Sequence, residues 1–218
     1  LIQLYMTTFS YNIFHQDFNS TNSVIFIGNG NPDFSRKVAS YFESDTISNL
    51  EIQRFADGEV KISKIRENIR KRDCIIIQSI SSNMLYSVNE LLMETFILID
   101  AIRRGSCKSI TLVLPIFPYQ RQDRKDSSRV PISSKMIASF FEKQNVDRII
   151  TFDLHAGQIQ GFFDNTILDN LYSEAYFINY IKREIITKHN INNLNDLVII
   201  SPDEGGVKRA TRVAEKIG

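Results

Sequence analysis

The chain has almost no net charge: 26 Lys and Arg stand against 25 Asp and Glu, giving +1 over 218 residues. That balance removes any global electrostatic case for a nucleic-acid or membrane-surface partner, so phosphate chemistry must rest on a local basic cluster. Cysteine is scarce. Cys74 and Cys107 lack CxxC spacing, and Cys74 lies in an apolar run as a small hydrophobe, so reduced thiols in a reducing, cytoplasmic compartment are expected. No apolar stretch reaches the roughly 20 residues that span a bilayer. No GxxxxGK[ST] loop occurs, which argues against an ordinary P-loop kinase. Residues 1–22 contain no Lys or Arg and so lack the basic region of a secretory signal and the arginines of a transit peptide. They read as a polar-aromatic N-terminal extension. The first residue is Leu1 rather than Met, as in a fragment of a longer protein.

What is present is an alternation of buried-type strands and helices. Ser23 to Ile27 reads as a strand running into the turn cluster Gly28-Asn29-Gly30-Asn31-Pro32-Asp33, with a helix following to about Glu43. Glu51 to Phe55 and Val60 to Ile62 flank Asp57-Gly58, a hairpin turn signal. Asp73 to Gln78 is a buried strand. From Val88 to Arg104 the apolar positions Val88, Leu91, Leu92, Phe96, Ile99 and Ile102 share one helical face, with Arg103, Arg104 and Gly105 as a stop. A strand Ser109 to Leu114, a long polar loop, a helix from Pro131 to about Lys143, and a strand Asp147 to Thr151 follow. A helix from about Tyr172 to Lys188, a strand Leu197 to Ile200 and a closing helix complete the pattern. Continuously apolar strands alternating with helices predict an α/β fold, a mainly parallel sheet covered on both faces, with the Phe55–Ile62 hairpin protruding as an antiparallel exception. A boundary is expected near Asp164 to Asn170. The strand openings at Asp73 and Asp196 are similar, as two related halves would be.

Ligands in such sheets bind beyond the carboxyl ends of strands, and three segments stand there. Tyr119 to Arg129 carries Arg121, Arg124, Lys125 and Arg129, whose donors suit phosphate oxygens; a merely solvated loop accounts for the charges equally well. Asp153-Leu154-His155 puts Asp153 and His155 on one side of an extended segment. With Asp164 and Asp169 nearby they could hold a divalent cation, although a lone His is more often structural. Only His15 and His189 accompany it, and both read as surface residues. Ser201-Pro202-Asp203-Glu204-Gly205-Gly206 offers close backbone approach and anion-seeking N–H groups, or simply a tight strand–helix turn. A fourth segment, Phe55-Ala56-Asp57-Gly58-Glu59, suits a flat base and its amino group, but from the residues alone turn chemistry with one core Phe is preferred. Gly28-Asn29-Gly30 imitates a dinucleotide fingerprint, with Asp57 as a ribose-binding acid. The third glycine position is Asp33, so this reading is set aside.

Taken together, four ordered blocks resemble the ribose-phosphate diphosphokinases: Arg54 to Glu59, Tyr119 to Ser133, Asp153 to Asp164, and Ser201 to Gly206. The third, Asp-Leu-His-Ala-Gly-Gln-Ile-Gln-Gly-Phe-Phe-Asp, is close to a family signature. The resemblance runs from about Ser23 to Gly218. It implies a phosphoribosyltransferase-like architecture, with an ATP-site domain at 23–168 and a truncated second domain at 169–218. It implies transfer of diphosphate from Mg-ATP to the 1-hydroxyl of ribose 5-phosphate. Phe55, Asp57, Gly58 and Glu59 would hold adenine in a neighbouring subunit's site, and Arg121 and Gln122 would contact ATP. His155, Asp203, Asp153, Asp164 and Asp169 would be associated with Mg, Asp169 only through a one-residue insertion. Family members assemble as dimer-based hexamers. Arg70, Lys125 and Arg129 match basic positions near the family's allosteric phosphate site, where Asn68 replaces a serine.

The family's mobile loop with its catalytic Lys and Arg, and its ribose 5-phosphate loop, would follow Gly218. No catalytic residue of that loop is therefore expected within 1–218, and a polypeptide ending there is expected not to turn over. A non-catalytic relative that co-assembles with active subunits is the alternative. A phosphoribosyltransferase, which uses the product, is disfavoured by the Asp153 to Asp164 block.

Overall fold

The computed structural model describes residues 22–42, 46–191 and 193–218. The expected N-terminal extension lies outside the described residues, apart from Asn22. The chain divides into two compact units, one through Leu171 and one from Tyr172 to Gly218.

The first unit is built on β1 (Ser23–Ile27), β2 (Thr46–Ile47), β3 (Ile52–Arg54), β4 (Val60–Ile62), β5 (Asp73–Ile77), β6 (Ser109–Leu114), β7 (Arg148–Phe152) and β8 (Ile167–Leu171). Six of these form one sheet in the order β2-β1-β5-β6-β7-β8, and every neighbouring pair is parallel. The helices are α1 (Pro32–Ala39), α2 (Val88–Arg104) and α3 (Ser133–Lys143). Alternation along each strand sorts the apolar side chains into two layers. Val24, Phe26, Cys74, Ile76, Ile110, Leu112, Leu114 and Ile149 pack with Leu91, Leu98, Ile99, Ile102, Ile137 and Phe141 of α2 and α3. Ile25, Ile75, Ile77, Val113 and Ile150 face the other way and pack with Ala39 of α1. Burial on both faces is why these strands are apolar throughout.

Helix α2 starts where the sequence predicts, sealed by a capping box in which Ser87 accepts from the Glu90 N–H and Glu90 accepts from the Ser87 N–H. Helix α1 stops at Ala39, short of the expected Glu43, and α3 begins at Ser133 rather than Pro131. Two strands were not expected from the sequence. β2 has only two residues. β8, Ile-Leu-Asp-Asn-Leu, carries too much polarity for a buried-strand pattern, yet it pairs with β7 along its length. β8 also runs through residue 168, where the sequence reading divides the domains. The hairpin is antiparallel, as expected, with Arg54 opposite Val60. Its base is anchored, since Ile52 and Ile62 pack against the larger core layer.

The second unit contains α4 (Glu174–Tyr180), which continues as a π-helical turn over Ile181–Ile186, and α5 (Val207–Ile217). Glu174 joins the two helices by ion pairs to Arg212 (3.0 Å) and Lys216 (2.5 Å). The hydrogen bond from Lys216 outweighs the cost of burial and, with the Arg212 charge, holds the Glu174 carboxyl below its ordinary value. The strand predicted at Leu197 to Ile200 does not form. A strand exists only through its ladder, and no segment described in this unit pairs with it. Val198 and Ile200 are accordingly 72% and 81% exposed.

Candidate functional site

Strands β6 and β7 are neighbours, so the loops leaving their carboxyl ends emerge side by side, where open α/β sheets place ligand crevices. Side chains bond the two loops together. Gln120 Oε1 accepts the His155 N–H at 2.8 Å. Gln158 Nε2 donates to Asp123 Oδ2 at 2.8 Å, and Asp123 is buried. Beneath them Phe117, fully buried, meets Phe163 edge-on with centroids 6.0 Å apart. Of the three segments expected to converge, the two that belong to the first unit lie together; residues 201–206 belong to the second unit.

Helix α3 holds the far side of the β7 loop. Lys135 Nζ donates to the Phe162 carbonyl at 2.6 Å. Glu142 Oε1 accepts three successive backbone N–H groups, from Asp164 (2.6 Å), Asn165 (2.8 Å) and Thr166 (3.3 Å). Burial works against the Glu142 charge, but those three donors and Lys135 outweigh it, and its carboxyl lies below the ordinary range. Three non-glycine residues in these loops have left-handed backbone, Tyr119 (φ 57°), Arg129 (φ 62°) and Asp153 (φ 45°). Such conformations persist where surrounding contacts impose them. Here the Asp153 N–H donates to the Leu171 carbonyl at 2.8 Å and the Leu154 N–H to Asn170 Oδ1 at 3.1 Å. The Tyr119 hydroxyl bonds Asn89 of α2.

On this frame Arg121, Arg124, Lys125, Arg129 and His155 are exposed. Gln122 is committed to the start of α3: its side-chain oxygen accepts from the Ser133 hydroxyl and its carbonyl from the Ser134 N–H. The hairpin tip presents Phe55, 51% exposed, with Lys61 Nζ 5.4 Å from the ring centroid. Asp57 Oδ1 accepts the Glu59 N–H, and Gly58 has φ 93°, a conformation that favours glycine.

Of the acids expected around a metal, Asp153, Asp164 and Asp169 lie in the first unit and Asp203 in the second. Asp153 is half-buried and Asp164 exposed in the β7 loop. Asp169 lies within β8 and pairs with Arg148 of β7 at 2.9 Å. Asp203, in the second unit, caps a short turn by accepting the Gly206 N–H at 2.9 Å. No three His, Cys, Asp or Glu among the described residues gather as a metal cage. Mg usually takes only one or two protein ligands beside water and phosphate oxygens; Asp153, His155 and Asp164 all lie on the loop that follows β7. Arg70 is exposed beside an open cleft of about 440 Å³ whose lining includes Lys64, Glu67, Asn68 and Arg104, but no residue of either loop. Sequence reading missed Gln120, Asp123, Gln158, Lys135 and Glu142, because no periodicity tells which polar residue faces a distant loop.

The family described as the N-terminal domain of ribose phosphate pyrophosphokinase matches residues 23–144. A ribose-phosphate pyrophosphokinase of Campylobacter jejuni is 45% identical over 194 residues, covering 89% of this chain and 58% of that protein. One from Thermotoga maritima is 42% identical over 199 residues, covering 91% and 59%. The chain thus spans somewhat under two thirds of the length of the curated relatives it matches. Among solved structures, a phosphoribosylpyrophosphate synthetase from Mycobacterium smegmatis superposes with a TM-score of 0.78 at 35% identity, covering 90% of this chain and 61% of that one. No helix among the described residues is long and apolar enough to cross a membrane.

Proposed function

Because the chain belongs to the ribose-phosphate pyrophosphokinase family, matched through that enzyme's N-terminal domain, we propose that it supplies the ATP-binding part of an enzyme that makes phosphoribosyl diphosphate. In that reaction the 1-hydroxyl oxygen of ribose 5-phosphate bonds the β-phosphorus of ATP and gives up its proton to solvent. The bond from that phosphorus to the α–β bridging oxygen breaks, and AMP leaves with the oxygen. The observation that carries the proposal is the cross-bonded pair of loops after β6 and β7, which holds Arg121 and His155 exposed on one rim.

Phosphoryl chemistry of this kind depends mainly on positioning and on countering spread negative charge. Arg121 would meet phosphate oxygens with its planar fork. Phe55 would stack on adenine, with Asp57 and Glu59 near the amino group, in a site completed by a neighbouring copy of the chain. His155, Asp153 and Asp164 would hold Mg, which when bound would neutralise polyphosphate charge. Arg70, Lys125 and Arg129 would serve a regulatory anion.

The test is AMP release by the complete protein, assayed with each component omitted in turn. Release that requires ATP, ribose 5-phosphate and Mg together, and that falls with Arg121→Ala, is the expected outcome. ATP binding without turnover would point instead to a non-catalytic relative that co-assembles with active subunits. Absence of both would end the proposal.

A further inference from the structure

Glu94 carries a carboxylate into the interior, on a helix whose other buried positions are apolar apart from Thr95. Its side chain is 0% exposed. Burying a charge is costly unless it is paired and hydrogen-bonded, and an apolar residue would fill the same space at lower cost. Oε1 accepts the Asn29 N–H (2.9 Å) and Gln78 Nε2 (2.8 Å), and Oε2 accepts Asn29 Nδ2 (3.1 Å). Gln78 Oε1 in turn accepts the Gly30 N–H at 2.9 Å. This explains the glycines that imitate a dinucleotide fingerprint. A Cβ on Gly28 would lie 2.4 Å from Gln78 Cδ, and one on Gly30 would lie 1.9 Å from the Ser79 carbonyl oxygen. The turn after β1 is bare so that it can close on Gln78.

The network reaches the hairpin through Arg54, the last residue of β3 and the one before Phe55. Arg54 Nη2 stands 3.7 Å from Glu94 Oε2 and Nε stands 3.9 Å from Glu90 Oε1. The guanidinium lies over the Tyr86 ring, 4.7 Å from its centroid. Tyr86 is fixed as well: Asn83 Oδ1 accepts its N–H at 2.8 Å, and Asn83 Nδ2 donates to the Gly30 carbonyl at 2.9 Å. All three guanidinium nitrogens of Arg54 are buried and make no hydrogen bond, so its seat depends on the two carboxylates and the ring.

We propose that Glu94 is a positioning residue for base recognition: through Arg54 it sets the angle at which the hairpin tip presents Phe55, Asp57 and Glu59. This rests on the reading of the tip as the adenine-binding element. Without the Glu94 charge, the buried Arg54 cation keeps only the partly exposed Glu90 and the Tyr86 ring, and tends to leave its seat, taking Phe55 with it.

The test measures ATP and GTP binding by calorimetry in Mg buffer, with melting by circular dichroism as a folding check, for the wild-type protein, Glu94→Gln and Arg54→Met. Glu94→Gln substitutes an amide of the same shape. Arg54→Met removes the cation and leaves Glu94 bonded to Asn29 and Gln78, so it carries the test if Glu94→Gln does not fold. Base–aromatic stacking is worth roughly tenfold in affinity per base, so a loss of roughly tenfold or more in ATP affinity is expected, with preference for ATP over GTP reduced. A purely structural role would lower the melting temperature and leave the base preference unchanged. A folded variant that keeps both ATP affinity and preference overturns the inference. If the wild-type protein binds neither nucleotide, the functional reading fails first and the inference falls with it.

Discussion

Glu142→Ala should loosen the turn that closes the signature loop. The carboxylate accepts three consecutive N–H groups at 2.6, 2.8 and 3.3 Å. Hydrogen bonds to charged groups contribute about 1.5–3 kcal/mol each when buried. Asp164 and Asn165 are exposed and Glu142 is half-buried, so water recovers most of two of these bonds. Thr166 is buried, and its N–H, although it makes the longest bond, has the least access to water. The expected net loss is about 2 kcal/mol, composed of about 1–1.5 for the Thr166 donor and a few tenths for each of the others. Denaturant unfolding measures the total, and amide exchange locates it: protection at residues 164–166 should fall while α2 amides are unchanged. The pH dependence has a definite sign. A carboxyl held below its ordinary value stabilises the fold above that value, and the contribution is lost as the pH falls through the folded pKa. Glu142→Gln should therefore flatten the acid limb of stability below about pH 4.3 and leave neutral pH comparisons nearly parallel. A loss under about 0.5 kcal/mol with unchanged exchange at 164–166 would refute the reasoning, since that is the range of ordinary surface substitutions.

Gly30→Ala should be strongly destabilising, by about 3 kcal/mol or more, because its Cβ meets a backbone oxygen that cannot rotate away; a melting temperature within a degree of wild type would contradict this. Phe55→Ala should change stability by less than about 0.5 kcal/mol, since the residue is exposed at the hairpin tip, while ATP affinity by calorimetry falls by roughly tenfold for lack of a stacking face. Equal affinity would remove the base-binding role of the hairpin.

The sheet was legible because its strands are apolar on both faces, and only a sheet covered on both sides buries Asp73–Ile77 and residues 110–114. β8 was not legible, since Asp169 and Asn170 break the apolar run; the strand forms because β7 offers an edge and Arg148 neutralises Asp169. The Leu197 to Ile200 strand failed for the converse reason: apolar residues favour an extended backbone but cannot supply a partner ladder.

Residue chemistry alone left Arg121, Phe55 and His155 with ordinary loop, turn and structural readings; the ordered blocks in which they stand, which resemble one family, singled them out as candidates to meet phosphate, base or cation. Tertiary structure decided how they are held. Gln120 reaches His155 and Gln158 reaches Asp123 across 35 positions, Glu142 reaches Asp164 across 22, and Asn29 reaches Glu94 across 65. Hydrogen bonds over such separations depend on where the fold brings the chain, and a polar residue whose partner is so distant has the same local sequence signal as one that faces water.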